Sequence, residues 1–263
     1  MLIAPDINPV AFGIGPLQVH WYGLMYLFGF VGAMVAGTYR AGRIDPGWKK
    51  PEISDLVFYF AIGAIVGGRL GYVVFYNLGY YLSNPIQMFY IWSGGMSFHG
   101  GLIGGIIALW LYGRHTHRTF LMAADFSVVL VPIGLFFGRI GNFINQELWG
   151  RPTDLPWAMV FRTGGSQPRH PSQLYEAGLE GIVLFIILWI VAMKPRPTGV
   201  LSGLFLVAYG IFRFLIEFAR QPDAHLGYLA FNWLTMGQIL SVPMVLFGFW
   251  LIWRGYAQEQ SGP

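Results

Sequence analysis

The sequence predicts an all-α polytopic membrane protein with seven transmembrane helices. Three observations predict it. Of 263 residues, 55% are hydrophobic and only 11% are charged, against about 25% charged in a soluble domain. So few charges could not cover the surface of a water-soluble globule, and high hydrophobicity with low charge excludes disorder. Aromatic residues reach 17% and glycines number 36, a composition suited to membrane interfaces and close helix packing. Third, seven apolar stretches each reach the roughly 20 residues a span requires: Gln18–Thr38, Asp55–Phe75, Gly94–Tyr112, Asp125–Ile144, Leu174–Met193, Val200–Phe218 and Trp233–Trp253. All are expected to be helices and no strand is expected, because a segment in lipid must satisfy its own backbone.

The elements follow in order. The first seventeen residues hold no Lys or Arg, so they lack the basic start of a cleavable signal and span one is expected to be retained. Nine basic residues fall in alternate connections: Arg40, Arg43, Lys49, Lys50, Arg114, Arg118, Lys194, Arg196 and Arg254. Four fall on the opposite side: Arg151, Arg162, Arg169 and Arg220. The richer side is expected to be cytoplasmic, which puts the amino terminus outside and the carboxyl terminus inside. Residues 77–93 carry Tyr80, Tyr81, Phe89, Tyr90 and Trp92 without a charge and predict an interfacial arm on the outer face. Residues 146–170 are long for a connector and rich in Pro, Gly and Arg; they predict a small outer head. Pro132 should loosen span four.

The net charge of +4 is small and spread along the loops, so nucleic acid is not an expected partner. The absence of cysteine excludes disulfides, thiolate metal sites and a cysteine nucleophile. No HExxH metal motif and no GxSxG elbow occurs, and no metal or cofactor is expected.

With direction assigned, the polar residues inside the spans fall at one depth, in the outer leaflet. They are Arg69, Arg139, Arg213, Glu176, Glu180, Glu217, His20, His99, Asn142 and Tyr22. Each intramembrane charge costs about 2.5–3.5 kcal/mol on insertion scales. Tyr209, Arg213, Glu217 and Arg220 share one helical face, as do Arg139 and Asn142, while Gln173, Glu176 and Glu180 line span five. One reading is internal ion pairing that pins the bundle. The other is a site for an anionic lipid headgroup, since guanidinium forks bind phosphate and stay charged when partly buried. Arg139 and Arg213 are the better phosphate ligands; Arg69, flanked by Gly67, Gly68 and Gly71, serves a neighbouring carboxylate or the lipid. His99, in a glycine-flanked run from Ser93 to Gly101, has a reference pKa suited to proton transfer. An anion transporter would use the same arginines but expose them to both faces, and a noncatalytic scaffold would leave His99 unexplained.

The run Gly138-Arg139-Ile140-Gly141-Asn142-Phe143-Ile144-Asn145-Gln146-Glu147-Leu148-Trp149-Gly150 resembles the signature of bacterial prolipoprotein diacylglyceryl transferases. The resemblance extends to His20-Trp21-Tyr22-Gly23, to Gly94–Gly101, to Arg169–Glu176 and to Tyr209–Asp223, in the same order over essentially the whole chain. It implies one integral membrane transferase domain over residues 1–263 in the bacterial inner membrane. The implied reaction passes a diacylglyceryl group from phosphatidylglycerol to the lipobox cysteine of a prolipoprotein, forming a thioether and releasing glycerol phosphate. On that reading Arg139 and Arg213 hold the phosphate, His99 accepts the thiol proton, and Tyr22 and Asn142 orient headgroup or base. Glu147, Glu217 and Glu176 hold the arginines, Gly150 lets the head approach, and Tyr209 and Arg69 complete the lipid site.

Overall fold

The structure is a computed structural model that describes residues 2–15, 17–90, 94–222, 227–231 and 233–260. In chain order the elements are β1 (Leu2–Ile3), β2 (Val10–Ile14), β3 (Leu17–His20), α1 (Trp21–Arg43), α2 (Lys50–Tyr76), α3 (Leu78–Ser83), α4 (Phe98–His115), α5 (Phe120–Val128) and α6 (Val131–Ile144). There follow β4 (Met159–Val160), α7 (Ser172–Glu176), a π-helical segment Ala177–Val183, α8 (Leu184–Ala192), α9 (Val200–Ile216) and α10 (Met236–Gln260). The chain divides into two compact units, one of Met1–Ala36 with Asp125–Pro263, the other of Gly37–Ala124.

The expectation of no strands is corrected. β2 and β3 form an antiparallel hairpin and β1 pairs in parallel with β4. Span one therefore starts at Trp21, and His20 ends a strand rather than lying in the helix. These strands precede or connect the apolar helices, where water can satisfy a strand edge.

Four helical stretches are long and apolar enough to cross a membrane: Trp21–Arg43, Lys50–Tyr76, Ser172–Ala192 and Met236–Gln260. The pair α5 and α6 makes a fifth if counted as one span, bent by 50° at its break. The protein is thus a multi-pass membrane protein with four to five such spans among the described residues, a coarser count than seven. Val200–Ile216 has 17 residues and falls short on length. Phe98–His115 carries His99, Arg114 and His115 near its ends, which lower its apolarity. The break before α6 coincides with Pro132, in the first turn, where the ring removes a backbone donor and excludes a continuous helix.

In the unit of residues 37–124, α2 shows why the glycine content is high. Phe58, Ile62, Val66, Leu70 and Val74 recur every four residues and are all exposed, an apolar ridge that water would not tolerate but lipid does. A different face carries Gly63, Gly67 and Gly71, which meet Gly100 and Gly104 of α4 backbone to backbone. A Cβ on Gly104 would lie 2.0 Å from the Gly63 carbonyl oxygen. Small residues permit this approach, and dispersion then holds the pair. Gly104→Val is expected to lower the stability of purified protein by about 3 kcal/mol through overpacking, read as a lowered thermal midpoint in detergent.

Arg69 has a different use from the one expected. It is buried in α2, and its Nε donates to Met88 O (2.8 Å), its Nη2 to Gln87 O (2.7 Å) and its Nη1 to Gly94 O (2.6 Å) and Gly95 O (3.2 Å). Its guanidinium also lies over the Tyr81 ring at 5.2 Å. Four backbone carbonyls thus take the fork, so Arg69 ties down the aromatic segment that follows α2 rather than a carboxylate. That segment contains α3 and a 3-10 turn at Pro85–Phe89; Trp92 and Ser93 lie outside the described residues.

In the other unit the core packs Val129, Leu184, Leu188, Ala192 and Leu201. The ends of α9 are pinned by opposite charges. The Asp125 carboxylate accepts from Gly199 N (2.6 Å), Ser202 N (2.8 Å) and Ser202 Oγ (2.6 Å) at the amino end. At the carboxyl end Arg151 donates from Nε to Arg220 O (2.8 Å) and from Nη2 to Glu217 O (2.9 Å). Both signs match the helix dipole.

Candidate active site

The site is built in the unit of residues 1–36 and 125–263. Arg139 stands on α6, Glu176 and Glu180 on the helix that starts at Ser172, and Arg213 on α9, with Glu217 and Arg220 just beyond it. Arg139 Nη2 lies 2.6 Å and Arg213 Nη1 3.4 Å from the same oxygen, Glu176 Oε2, while Arg220 Nε lies 4.0 Å from Oε1. Glu217 Oε1 takes Arg213 Nη2 at 2.5 Å and Arg220 Nη1 at 3.3 Å. Glu180 lies further off, 3.7 Å from Arg139 and 3.9 Å from Arg213.

The cluster is layered. The side chains of Glu176 and Glu180 are fully buried and that of Glu217 is 4% exposed, while those of Arg139, Arg213 and Arg220 are 19%, 14% and 15% exposed. Carboxylates form the buried floor and the arginine side chains the more exposed layer. The pairing anticipated as a bundle pin is therefore present, with the arginines as its more exposed partners. A guanidinium has five N–H donors, so Arg139 and Arg213 can hold a carboxylate and an anion together.

The residues around Arg139 follow from the turn that ends α6. Gln146 and Leu148 both have positive φ, 53° and 57°, an uncommon conformation for such side chains. Their surroundings over-determine it. Gln146 Nε2 donates to Pro5 O (3.0 Å) and its Oε1 accepts from Arg162 N (2.7 Å). Ser172 Oγ donates to Leu148 O (2.9 Å) and Gln173 Nε2 to Glu147 O (2.7 Å). The turn carries Glu147, whose Oε1 accepts from Asn142 Nδ2 at 2.8 Å and Asn145 Nδ2 at 3.5 Å. Glu147 thus orients asparagines rather than holding an arginine, because the turn places it beside its own helix end.

Tyr22 packs its ring on Gly141, where an added Cβ would lie 2.8 Å from Cδ2, and its hydroxyl is 3.3 Å from that of Tyr26. Tyr26 is itself within electrostatic reach of Arg139 and Glu147. Tyr209 stands one turn before Arg213, stacked on Phe205 with centroids 5.6 Å apart, and interacts electrostatically with Glu180, Arg213 and Arg139.

Gly150 bridges to Arg220 in an antiparallel pair and donates its N–H to His170 O at 2.9 Å. A Cβ there would lie 2.4 Å from Ala219 O and 2.7 Å from His170 Cβ. Only glycine fits between the loop and the end of α9. Burial first, then the neighbouring Arg151, holds His170 below its ordinary pKa. Gly150→Ala is expected to shift the Arg220 backbone and to lower turnover at least about tenfold, with a stability loss of about 1–3 kcal/mol; assay and melting curve of the same preparation check both.

The geometry therefore brings together Arg139, Arg213, Glu176, Glu217, Asn142, Glu147, Gly150, Tyr22 and Tyr209. His99 and Arg69 belong to the other unit. His99 is exposed at the second residue of α4, edge-on to Phe98 with centroids 5.6 Å apart. Asp223, which closes the last resembling stretch, lies outside the described residues. The sequence puts Arg220 on the face of Arg213 and Glu217 without giving it a role in the site, and gives none to Arg151. Arg220 lies 4.0 Å from Glu176 and 3.3 Å from Glu217; Arg151 acts through backbone carbonyls from a loop, which no periodicity reveals.

A family model described as prolipoprotein diacylglyceryl transferase matches residues 9–254. A phosphatidylglycerol–prolipoprotein diacylglyceryl transferase of Pseudomonas paraeruginosa is 58% identical over 263 residues, covering 100% of this chain and 99% of that protein. One of Pseudomonas fluorescens Pf-5 is 59% identical over 259 residues, covering 97% and 96%. With the match spanning both compact units and the whole arginine–glutamate cluster, the chain belongs to the prolipoprotein diacylglyceryl transferase family.

Proposed function

We propose that this enzyme transfers the diacylglyceryl group of phosphatidylglycerol to the lipobox cysteine thiol of a prolipoprotein, making a thioether and releasing glycerol phosphate. The observation that carries the reading is the convergence of three guanidinium groups on Glu176, at 2.6, 3.4 and 4.0 Å, with each arginine side chain less buried than the carboxylate they share. Such a layer suits a phosphate whose negative charge grows as the carbon–oxygen bond breaks. Arg139 and Arg213 hold that phosphate. Arg220 joins them, and Glu176 and Glu217 aim the forks. Asn142, aligned by Glu147, and Tyr22 orient the headgroup, with Tyr209 beneath. His99 accepts the thiol proton, since the thiolate is the reactive form. The chain has no cysteine, so the sulfur is the substrate's. Arg69 supports the arm and leaves the lipid to the other arginines.

The proposed topology has seven spans in the bacterial inner membrane, with the shorter helices α4 and α9 and the bent α5–α6 pair also crossing. The amino terminus and the site face the periplasm and the carboxyl terminus the cytoplasm. Residues 77–93 form the interfacial arm and residues 146–170 the head of one transferase domain over residues 1–263. The test is purified protein with phosphatidylglycerol vesicles and a lipobox peptide. Release of glycerol phosphate with a matching mass increase of the peptide is expected. Lipid bound or moved across the bilayer with the peptide unaltered would contradict the reading.

A further inference from the structure

The charges of the cluster cancel: Arg139, Arg213 and Arg220 stand against Glu176, Glu180 and Glu217. An arriving phosphodiester adds one negative charge in a place where an uncompensated charge is costly. The three carboxylates are not equivalent. Glu217 is held by two arginines and by Thr235 Oγ1 at 2.6 Å, and Glu176 by Arg139 at 2.6 Å. Glu180 is fully buried, and neither of its oxygens has a hydrogen-bond partner. It therefore loses least by becoming neutral. It sits in the π-helical segment Ala177–Val183, a local widening of the kind found at functional sites. The charged or titratable groups that act on it are Glu176 from its own helix, Arg139 from α6, Arg213 and Tyr209 from α9, and Arg220 beyond that helix.

We propose that Glu180 takes up one proton when a lipid phosphate enters the arginine layer, so that phosphatidylglycerol binding is coupled to protonation. The reaction of binding is then phosphodiester anion plus Glu180 carboxylate plus one proton given up by the buffer acid, giving a bound lipid over a neutral carboxylic acid and the buffer's conjugate base. The cluster stays electroneutral and the arginines turn from the floor toward the lipid. Glu180 touches no reacting atom in this account; it is a charge-balancing residue that acts through Arg139 and Arg213. The inference rests on the phosphate reading of the site.

The test is titration calorimetry of detergent-solubilised full-length protein with short-chain phosphatidylglycerol, in two buffers of different ionisation enthalpy. About one proton should be taken up per lipid bound, and affinity should fall by up to about tenfold per pH unit on the alkaline side. Glu180→Gln, which mimics the protonated acid, should bind at every pH with no proton uptake. Phosphatidylglycerol binding by the wild type without proton uptake would overturn the proposal and leave the phosphate reading intact, and this arm stands even if the variant does not fold. Proton uptake unchanged in Glu180→Gln would also overturn it. No binding of phosphatidylglycerol at any pH would overturn the phosphate reading and this proposal with it.

Discussion

Arg139→Gln is expected to lower diacylglyceryl transfer by about 10³-fold, equivalent to roughly 4 kcal/mol of transition-state stabilisation, while the protein still folds into membranes. Arg139 makes the shorter of the two contacts to Glu176 Oε2, 2.6 Å against 3.4 Å for Arg213. Its side chain is also the most exposed of the three at 19%, which leaves it the best placed to meet a ligand. Removing it leaves Glu176 with Arg213 and Arg220, enough to keep the floor paired, but it deletes a bidentate donor from the more exposed layer. Arg139→Lys keeps the charge without the planar fork and should fall between the two. Transfer assays with melting curves separate chemistry from folding. Full activity of Arg139→Gln would remove the phosphate-clamp account.

His99→Gln is expected to lower the rate near neutrality by about 10²–10⁴-fold, the usual contribution of a positioned base. The deficit should shrink about tenfold per pH unit as pH rises towards the pKa of a free thiol, about 8.5, because the substrate then ionises unaided. An unchanged rate and pH profile would show that the proton leaves by another route, such as a thiol pKa lowered by a nearby guanidinium.

How far the sequence could be read depended on whether a feature was local. The apolar stretches marked each long helix, because lipid imposes one length and one composition, but missed ends that run on into polar residues, as where α10 continues past Trp253 to Gln260. Pro132 marked the break before α6. The close approach of α2 and α4 through glycines at 63, 67, 71, 100 and 104 was legible only as a high glycine content, which does not say which helices meet. Arg139, Arg213, Glu176 and Glu217 were readable as one depth, for an intramembrane charge needs a partner. Features made by long-range backbone contact were not. The β1–β4 pair joins residues 157 apart in register, Leu2 with Met159. Arg69 spends its fork on carbonyls of a following segment, and carbonyls leave no trace in composition. The asparagine partners of Glu147 depend on left-handed turns at Gln146 and Leu148, residue types that give no hint of such a conformation. The widening at Ala177–Val183 was equally hidden, because an α-helix would also place Glu176 and Glu180 on one face.

The most direct measurement is an experimental structure of the protein in nanodiscs containing phosphatidylglycerol. The account predicts the lipid phosphate within about 2.7–2.9 Å of guanidinium nitrogens of Arg139 and Arg213, on the side away from Glu176 and Glu180. A phosphate seated elsewhere, with both arginines still turned wholly onto the buried carboxylates, would contradict it.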